Sequence, residues 1–255
     1  MQILYKMTEE LEVKAKSLRR KVLDLTLETG EAHLGGSFSE VEILISLYDQ
    51  ERGVLEKDDK FILSKGHCPH PLYILLREKG YNPKITNHPD IDVANGIYCT
   101  TGSLGHGLPI GVGMAMTRKI RGEKGRIYVL MGDGECQEGT TWESALIASK
   151  NRLDNLVTII DHNKVQALDL IDDALPLGSL SEKFEAFGYN VSEIDGHSFK
   201  EIFNAFSNLP YNGKPHAVIA HTIKGKGVSY MEGNPAWHGR KVTAERLRGA
   251  YEELK

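Results

Sequence analysis

The stretch RIYVLMGDGECQEGTTWESALIASKNRLDNLVTIIDHNKVQ, residues 126–166, decides the fold. Its apolar run 127–131 reads as a short buried strand. The run stops at Gly132-Asp133-Gly134, a turn whose glycines let a bulky ligand come close to the backbone. A helical pattern starts at about Glu138 and sets Trp142, Ala145, Leu146 and Ser149 on one face. A second apolar run, 156–160, then delivers Asp161-His162-Asn163. An acid, Asp133, and an amide, Asn163, therefore stand at the C-terminal ends of two strands joined by one helix. In a parallel sheet that edge is where ligands bind. A carboxylate beside an amide oxygen suits a hard cation such as Mg²⁺, with coordination positions left for phosphate oxygens.

The rest of the chain fits one large α/β domain. It has 255 residues, 40% hydrophobic and 26% charged, enough for a substantial core. The net charge of −4 marks neither a nucleic-acid binder nor a membrane-surface binder. Cys68, Cys99 and Cys136 form no CxxC pair, and the odd count gives no disulfide framework, so a reducing compartment is expected. The first 22 residues hold no apolar core of signal-peptide length, and no run approaches the roughly 20 apolar residues of a membrane span. The expected location is cytoplasmic.

Thr8, with Glu9 and Glu10 behind it, is expected to open a helix carrying Leu11, Ala15, Leu18, Val22 and Leu25, with Gly30 as its stop. Residues 31–36, Glu31-Ala32-His33-Leu34-Gly35-Gly36, read as a loop. Ser39 and Glu42 have capping-box spacing ahead of a second helix. Residues 61–63 read as a strand leading to Ser64-Lys65-Gly66-His67, and 72–79 as a helix closed by Gly80. Residues 81–101 hold Pro83, Pro89 and Asn95-Gly96 without a clean period, and are expected to form a long ordered loop containing His88. A helix is expected over 111–119. After the central unit come a surface loop over 166–180, helix 182–187, strand 189–194, helix 199–206, strand 217–222 and a helix from Thr243. Such alternation predicts a three-layer αβα fold with a mostly parallel sheet, in one domain over residues 1–255.

Two common nucleotide signatures are absent. GxGxxG would need glycine at 137, where Gln137 stands, and no GxxxxGK[ST] occurs. What the chain carries instead is Gly132-Asp133-Gly134 and Asn163, with Gly102-Ser103-Leu104-Gly105, Ser64-Lys65-Gly66-His67, Lys224-Gly225-Lys226-Gly227 and Trp237-His238-Gly239. Glu185-Ala186-Phe187-Gly188 and Asp195-Gly196-His197-Ser198 belong to the same pattern. This set, in this order, resembles the N-terminal, diphosphate-binding domain of transketolase over nearly the whole chain.

The resemblance implies thiamine diphosphate as cofactor with Mg²⁺ or Ca²⁺. Asp133, Asn163 and the Val165 carbonyl would hold the cation, and Gly132 and Gly134 would let backbone N–H groups approach the phosphates. His67, Lys224 and His238 would lie near the diphosphate. Gly102 and Leu104 would contact the aminopyrimidine side, and Glu138 would sit in a dimer contact near the cofactor. His33, His67, His88 and His238 match family histidines. Histidine moves protons near neutral pH, so His33 and His238 are expected to carry proton transfer, and His67 and His88 to hydrogen-bond the C1 hydroxyl of the ketose and the intermediate. His70, His162, His197, His216 and His221 are read as structural or surface residues. Lys65 reads equally well as a surface charge and as a functional group, and Lys226 as structural. Trp237 is expected to pack the loop that aims His238, and Cys68 and Cys136 to be packing residues. Two positions depart from the family: His106 stands where glutamine is usual, and Leu34-Gly35 where Pro-Gly is usual.

The resemblance also implies what must come from elsewhere. Family members carry a pyrimidine-binding domain and a C-terminal domain, with a cofactor-activating glutamate, an aromatic platform and basic residues for a sugar phosphate. None is identifiable here. The expected protein is the N-terminal subunit of a split transketolase, within an α2β2 assembly that has a homodimer contact between diphosphate domains, and it transfers a ketol unit between sugars. Three alternatives stay open: a deoxyxylulose-phosphate-synthase-like enzyme, a non-catalytic diphosphate-binding module and the small subunit of a 2-oxo acid dehydrogenase.

Overall fold

A computed structural model describes residues 2–30, 33–167, 169–239 and 242–255. Five strands form one parallel sheet: β1 (Lys60–Leu63), β2 (Ile127–Gly132), β3 (Leu156–His162), β4 (Asn190–Asp195) and β5 (His216–His221), in spatial order β1-β2-β3-β5-β4. Side chains alternate between the faces, as a strand's period of two requires. Phe61, Leu63, Tyr128, Leu130, Val157, Ile159, Val218 and Ala220 point into one core. Ile62, Ile127, Val129, Met131, Leu156, Ile160, Ala217 and Ile219 point into the other. A sheet buried on both faces explains why these strands read as continuous apolar runs.

The first core is covered by α1 (Gln2–Thr29), α3 (Val41–Tyr48), α4 (His70–Glu78) and α9 (Phe199–Ser207). The second is covered by α5 (Gly107–Arg121), α6 (Gly139–Lys150) and α8 (Leu180–Ala186). The expected three-layer αβα fold is therefore present. No helix among the described residues is long and apolar enough to cross a membrane.

A third apolar cluster lies outside the sheet. It joins Val22 and Leu23 of α1 to α2 (Leu34–Ser39), the 223–239 loop and α10 (Ala244–Glu253) through Leu34, Phe38, Val228, Met231, Trp237 and Leu247. Trp237 is buried there, one residue before His238.

Several sequence expectations are corrected. Helix α1 begins at Gln2, so Thr8 lies inside it rather than capping it; Gly30, at φ +78°, does stop it, its N–H bonding to Thr26 O at 2.9 Å. The expected loop over residues 31–36 becomes α2 from Leu34 onward, while Glu31 and Ala32 lie outside the described residues. Ser39 caps nothing: it ends α2, and its hydroxyl donates to Asp161 Oδ2 at 2.6 Å. On α6 the buried face is Thr141, Ser144, Ala145 and Ala148, and Leu146 points outward. The surface loop over 166–180 also holds a short helix, α7 (Ile171–Ala174).

Candidate active site

The register of β2 against β3 sets Gly132 opposite Asp161, so Asp133 and Asn163 leave neighbouring strands side by side at the C-terminal edge. Beyond them lies a cavity of about 390 Å³. His67, Gly102, Leu104, Gly132, Asp133, Gly134, Glu138, Asn163, Val165, Lys224 and His238 all line it. These include every residue expected at the cofactor or the cation. His33 and His88 line an adjoining cavity, which meets the first at His67. The four histidines form a cluster: the His33 ring centre is 5.2 Å from those of His67 and His238 and 6.4 Å from that of His88, and His67 and His238 are 5.3 Å apart. A larger hollow of about 750 Å³ opens beside Arg126, Asp154 and Tyr211. Among the described residues it is lined by no histidine, and the charges at its centre are engaged, Lys119 on Asp154 at 2.8 Å and the Arg126 guanidinium on the Asp154 and Leu209 carbonyls.

The donor set fits a cation. The Asp133 carboxylate is 2% exposed, accepting from the Lys164 N–H at 2.6 Å and the Gly134 N–H at 2.8 Å. Burial, helped by the charge of Asp161, pushes it up to about 7 against the pull of those amides and Lys224. A carboxyl so placed has no ion-pair contact among the described residues, and a bound divalent ion would supply one. Asn163 is oriented at both ends: its Nδ2 donates to Asp161 Oδ2 at 3.2 Å, and its Oδ1 accepts from the Val165 N–H at 3.1 Å. Lys164 between them takes φ +64°, and Val165 lines the same cavity, its carbonyl accepting from Lys224 Nζ at 2.7 Å, a bond a cation there would have to replace. Among the described residues no three His, Cys, Asp or Glu side chains cluster as metal ligands. The expected set, one carboxylate, one amide and one carbonyl, is not of that kind.

The Gly132 N–H donates to Glu135 Oε2 at 3.0 Å and the Gly134 N–H to Asp133 Oδ1 at 2.8 Å. What Gly132 contributes is space, since a Cβ added there would meet no atom within 4 Å. Glu135 is the residue the sequence reading missed. Its buried carboxylate also accepts from Ser64 Oγ at 2.6 Å and the Gly105 N–H at 2.9 Å, pulling three of the site's loops together.

Lys65 is no surface charge. It is 1% exposed and donates to the Gly36 carbonyl at 2.8 Å and to Asp161, with Glu40 Oε2 at 3.1 Å. One ammonium cannot balance two carboxylates, and the pair divides accordingly. Although burial opposes it, Lys65 holds Asp161, which also accepts from Ser39 and Thr222, below the usual range. Burial pushes Glu40 up to about 8.

Lys224 is also buried, and burial lowers it to about 8. Its Nζ donates to the Val165 carbonyl at 2.7 Å, the Gln166 carbonyl at 3.2 Å and His238 Nδ1 at 2.7 Å. Burial and that ammonium drive His238 down to about 3, so the ring is neutral. With Nδ1 accepting, its proton sits on Nε2. His67 is likewise held neutral by burial and by Lys65. Gly102, at φ +143°, leaves room for His88, whose Cδ2 would lie 2.7 Å from a Cβ there. His106 is exposed, and its Nδ1 faces the Leu104 carbonyl at 2.9 Å, holding the turn beside Leu104. Further out, Arg19 donates to both oxygens of Glu42, at 2.7 and 2.8 Å, and to the Phe38 carbonyl at 2.8 Å. Glu42 in turn meets His197 Nδ1 at 2.9 Å, and His197 Nε2 accepts the Ile223 N–H at 2.9 Å, next to Lys224. His197 is structural, as expected.

Residues 12–254 match the sequence profile of the family described as transketolase, thiamine diphosphate binding domain. The chain is 41% identical to one of the subunits of the apulose-4-phosphate transketolase of Actinobacillus succinogenes, over 97% of this chain and 96% of that one. It is 37% identical to a 6-deoxy-6-sulfo-D-fructose transketolase subunit of a Clostridium species, over 96% of each chain. Against human transketolase the identity is 32%, over 94% of this chain but 41% of the human one. The solved transketolase of Campylobacter jejuni superposes with a TM-score of 0.84 at 28% identity, over 96% of this chain and 42% of that chain.

Proposed function

This chain belongs to the transketolase family, as its thiamine diphosphate binding domain, and we propose that it is the N-terminal subunit of a two-chain transketolase. The complex would move a two-carbon ketol unit from a ketose to an aldose. One observation carries the reading: every residue expected at the cofactor lines one cavity, and the remaining two histidines border it. The likeness to two subunits of about this length supports a separate partner chain resembling the C-terminal transketolase half. Two copies of each chain, with contacts near Glu138, would complete two sites.

Asp133, Asn163 and the Val165 carbonyl would hold Mg²⁺ (or Ca²⁺). Thiamine diphosphate bound there would supply the electron sink that lets a bond beside a ketose carbonyl break. This chain's residues bind, orient and move protons around it. His238 is neutral and carries its proton on Nε2, so it donates a hydrogen bond to a sugar or diphosphate oxygen. The accepting half of proton transfer then falls to His33, 5.2 Å away between ring centres. His67 and His88 hydrogen-bond the ketose. Lys224 is the basic side chain at the diphosphate end, and a phosphorylated sugar would find its anion site on the partner.

The test is reconstitution. Ketol transfer with thiamine diphosphate and Mg²⁺ is measured for this chain alone, then with a candidate C-terminal partner. Activity is expected only in the mixture, and robust turnover by this chain alone would refute the two-chain reading.

A further inference from the structure

Glu135 lines the cofactor cavity together with Gly102, Leu104, Gly132 and Asp133, yet it is 1% exposed and its carboxylate is turned to protein donors. Oε1 accepts from the Gly105 N–H at 2.9 Å and from Ser64 Oγ at 2.6 Å, and Oε2 accepts from the Gly132 N–H at 3.0 Å. One side chain thus spans from the turn ahead of α5 to the end of β2. The two glycine amides at its tips are donors whose polarity cannot reverse, so the span needs an acceptor at each tip. A carboxylate offers that, and a carboxamide of the same length does not. The neighbouring residues repeat the link. The Glu135 carbonyl accepts from Thr141 Oγ1 at 2.7 Å and from the Glu138 N–H at 3.1 Å, and Thr140 Oγ1 donates to the Gly105 carbonyl at 2.8 Å. Gly105 takes φ +75°, and a Cβ there would lie 2.6 Å from both Glu138 Cβ and Thr140 Oγ1, so the turn is seated hard against the start of α6.

The cation end of the site is held without this span. Asp133 accepts from the Lys164 and Gly134 amides, and the Asn163 amide group is fixed by Asp161 and the Val165 N–H. What the span sets is where the turn carrying Gly102 and Leu104 lies relative to that end. We propose that Glu135 is a positioning residue that fixes the spacing between the diphosphate end and the aminopyrimidine end of the site. The proposal rests on the thiamine diphosphate reading and deepens it. A ligand that reaches both ends gains from the fixed spacing, as any two-point ligand does, and one that fills only the diphosphate end gains nothing from it.

The experiment is calorimetry on the reconstituted two-chain complex with Mg²⁺ and two probes, thiamine diphosphate and inorganic diphosphate. Glu135→Gln keeps the reach but sets an NH₂ group against one of the two glycine amides. Glu135→Asp keeps both acceptors but is one methylene too short to meet both amides. Each variant is expected to weaken thiamine diphosphate about 10–100-fold and inorganic diphosphate less than about threefold. Thr140→Val removes only the bond to the Gly105 carbonyl and should show the same pattern at about threefold; it carries the test should a Glu135 variant fail to fold. Equal losses on the two probes, or wild-type affinity for thiamine diphosphate in either folded Glu135 variant, would overturn the proposal. Amide hydrogen exchange on this chain alone reads the span without any cofactor. Exchange at Gly105 and Gly132 is expected to quicken in both Glu135 variants beyond any rise across the sheet, and a rise no larger than that of the sheet would overturn the proposal. If the wild-type complex binds no thiamine diphosphate, the cofactor reading fails, and hydrogen exchange alone then decides whether Glu135 fixes the spacing of the two segments.

Discussion

Lys65→Met is the sharpest test of the packing behind the site. It removes an ammonium from a position 1% exposed, together with its bond to the Gly36 carbonyl and its pairing with Asp161. Asp161 keeps only hydroxyl and amide partners, Ser39, Thr222 and Asn163, while its charge stays buried. Removing one member of a buried ion pair costs about 3–5 kcal/mol. For a chain of this size each kcal/mol is worth about 2–4 °C, so the melting temperature should drop by roughly 6–20 °C. The pH dependence gives a second signature. Burial raises the Asp161 carboxyl and Lys65 outweighs that effect in the wild type; without Lys65 the folded-state value rises above the unfolded one. The variant's deficit is then smallest at acid pH, where Asp161 is protonated in both states, and grows as the pH rises through the new value. Urea unfolding at pH 5 and pH 8 reads both effects. The double variant Lys65→Met/Asp161→Asn should be more stable than Lys65→Met alone, because the stranded charge is gone. A loss under about 1 kcal/mol that does not vary with pH would refute the reasoning.

Glu40→Gln should flatten the chain's stability between about pH 5 and pH 8. The folded-state value near 8 exceeds the unfolded one, so the Glu40 contribution is complete at acid pH and lost as the pH rises through 8; urea midpoints across that range check it. Asp133→Ala should abolish Mg²⁺-dependent thiamine diphosphate binding in calorimetry, and His88→Ala should leave that binding intact while lowering kcat/KM for the ketose; equal losses of cofactor affinity would contradict the assigned roles. Gly102→Ala drives a methyl group to 2.7 Å from His88 Cδ2 at a φ of +143°. A stability cost of about 1–3 kcal/mol and a raised donor KM are expected, measured by melting and by steady-state kinetics.

The sheet was legible because its strands are buried on both faces, and runs such as 127–131 and 156–160 admit no other use. The cavity lining was legible because glycines and strand-end polar residues mark it in one dimension. The buried charges were not. Ser39 and Glu42 look like a capping box, yet one bonds Asp161, 122 positions away, and the other pairs with Arg19 and His197. Lys65 reads equally well as a surface charge and as a functional group until Glu40 and Asp161 close around it, and Glu135 gains its meaning only once three loops converge on it. Periodicity carries no information about partners so distant in sequence.

The hydrogen-bonded triad of Arg19, Glu42 and His197 has a consequence for how variants of this protein should be sorted. Although burial opposes it, Arg19 and His197 hold Glu42 at about 2, so the Arg19–Glu42 pair within the triad stays charged throughout the working pH range. Its last bond fixes the Ile223 amide, and the next residue is the lysine that meets Val165 and His238. A change at Arg19 therefore touches nothing in the cavity yet loosens the backbone that aims Lys224. In a mutational screen such variants would surface as poor cofactor retainers, and excess thiamine diphosphate would rescue them by mass action. They would be mistaken for active-site lesions unless scored at two cofactor concentrations.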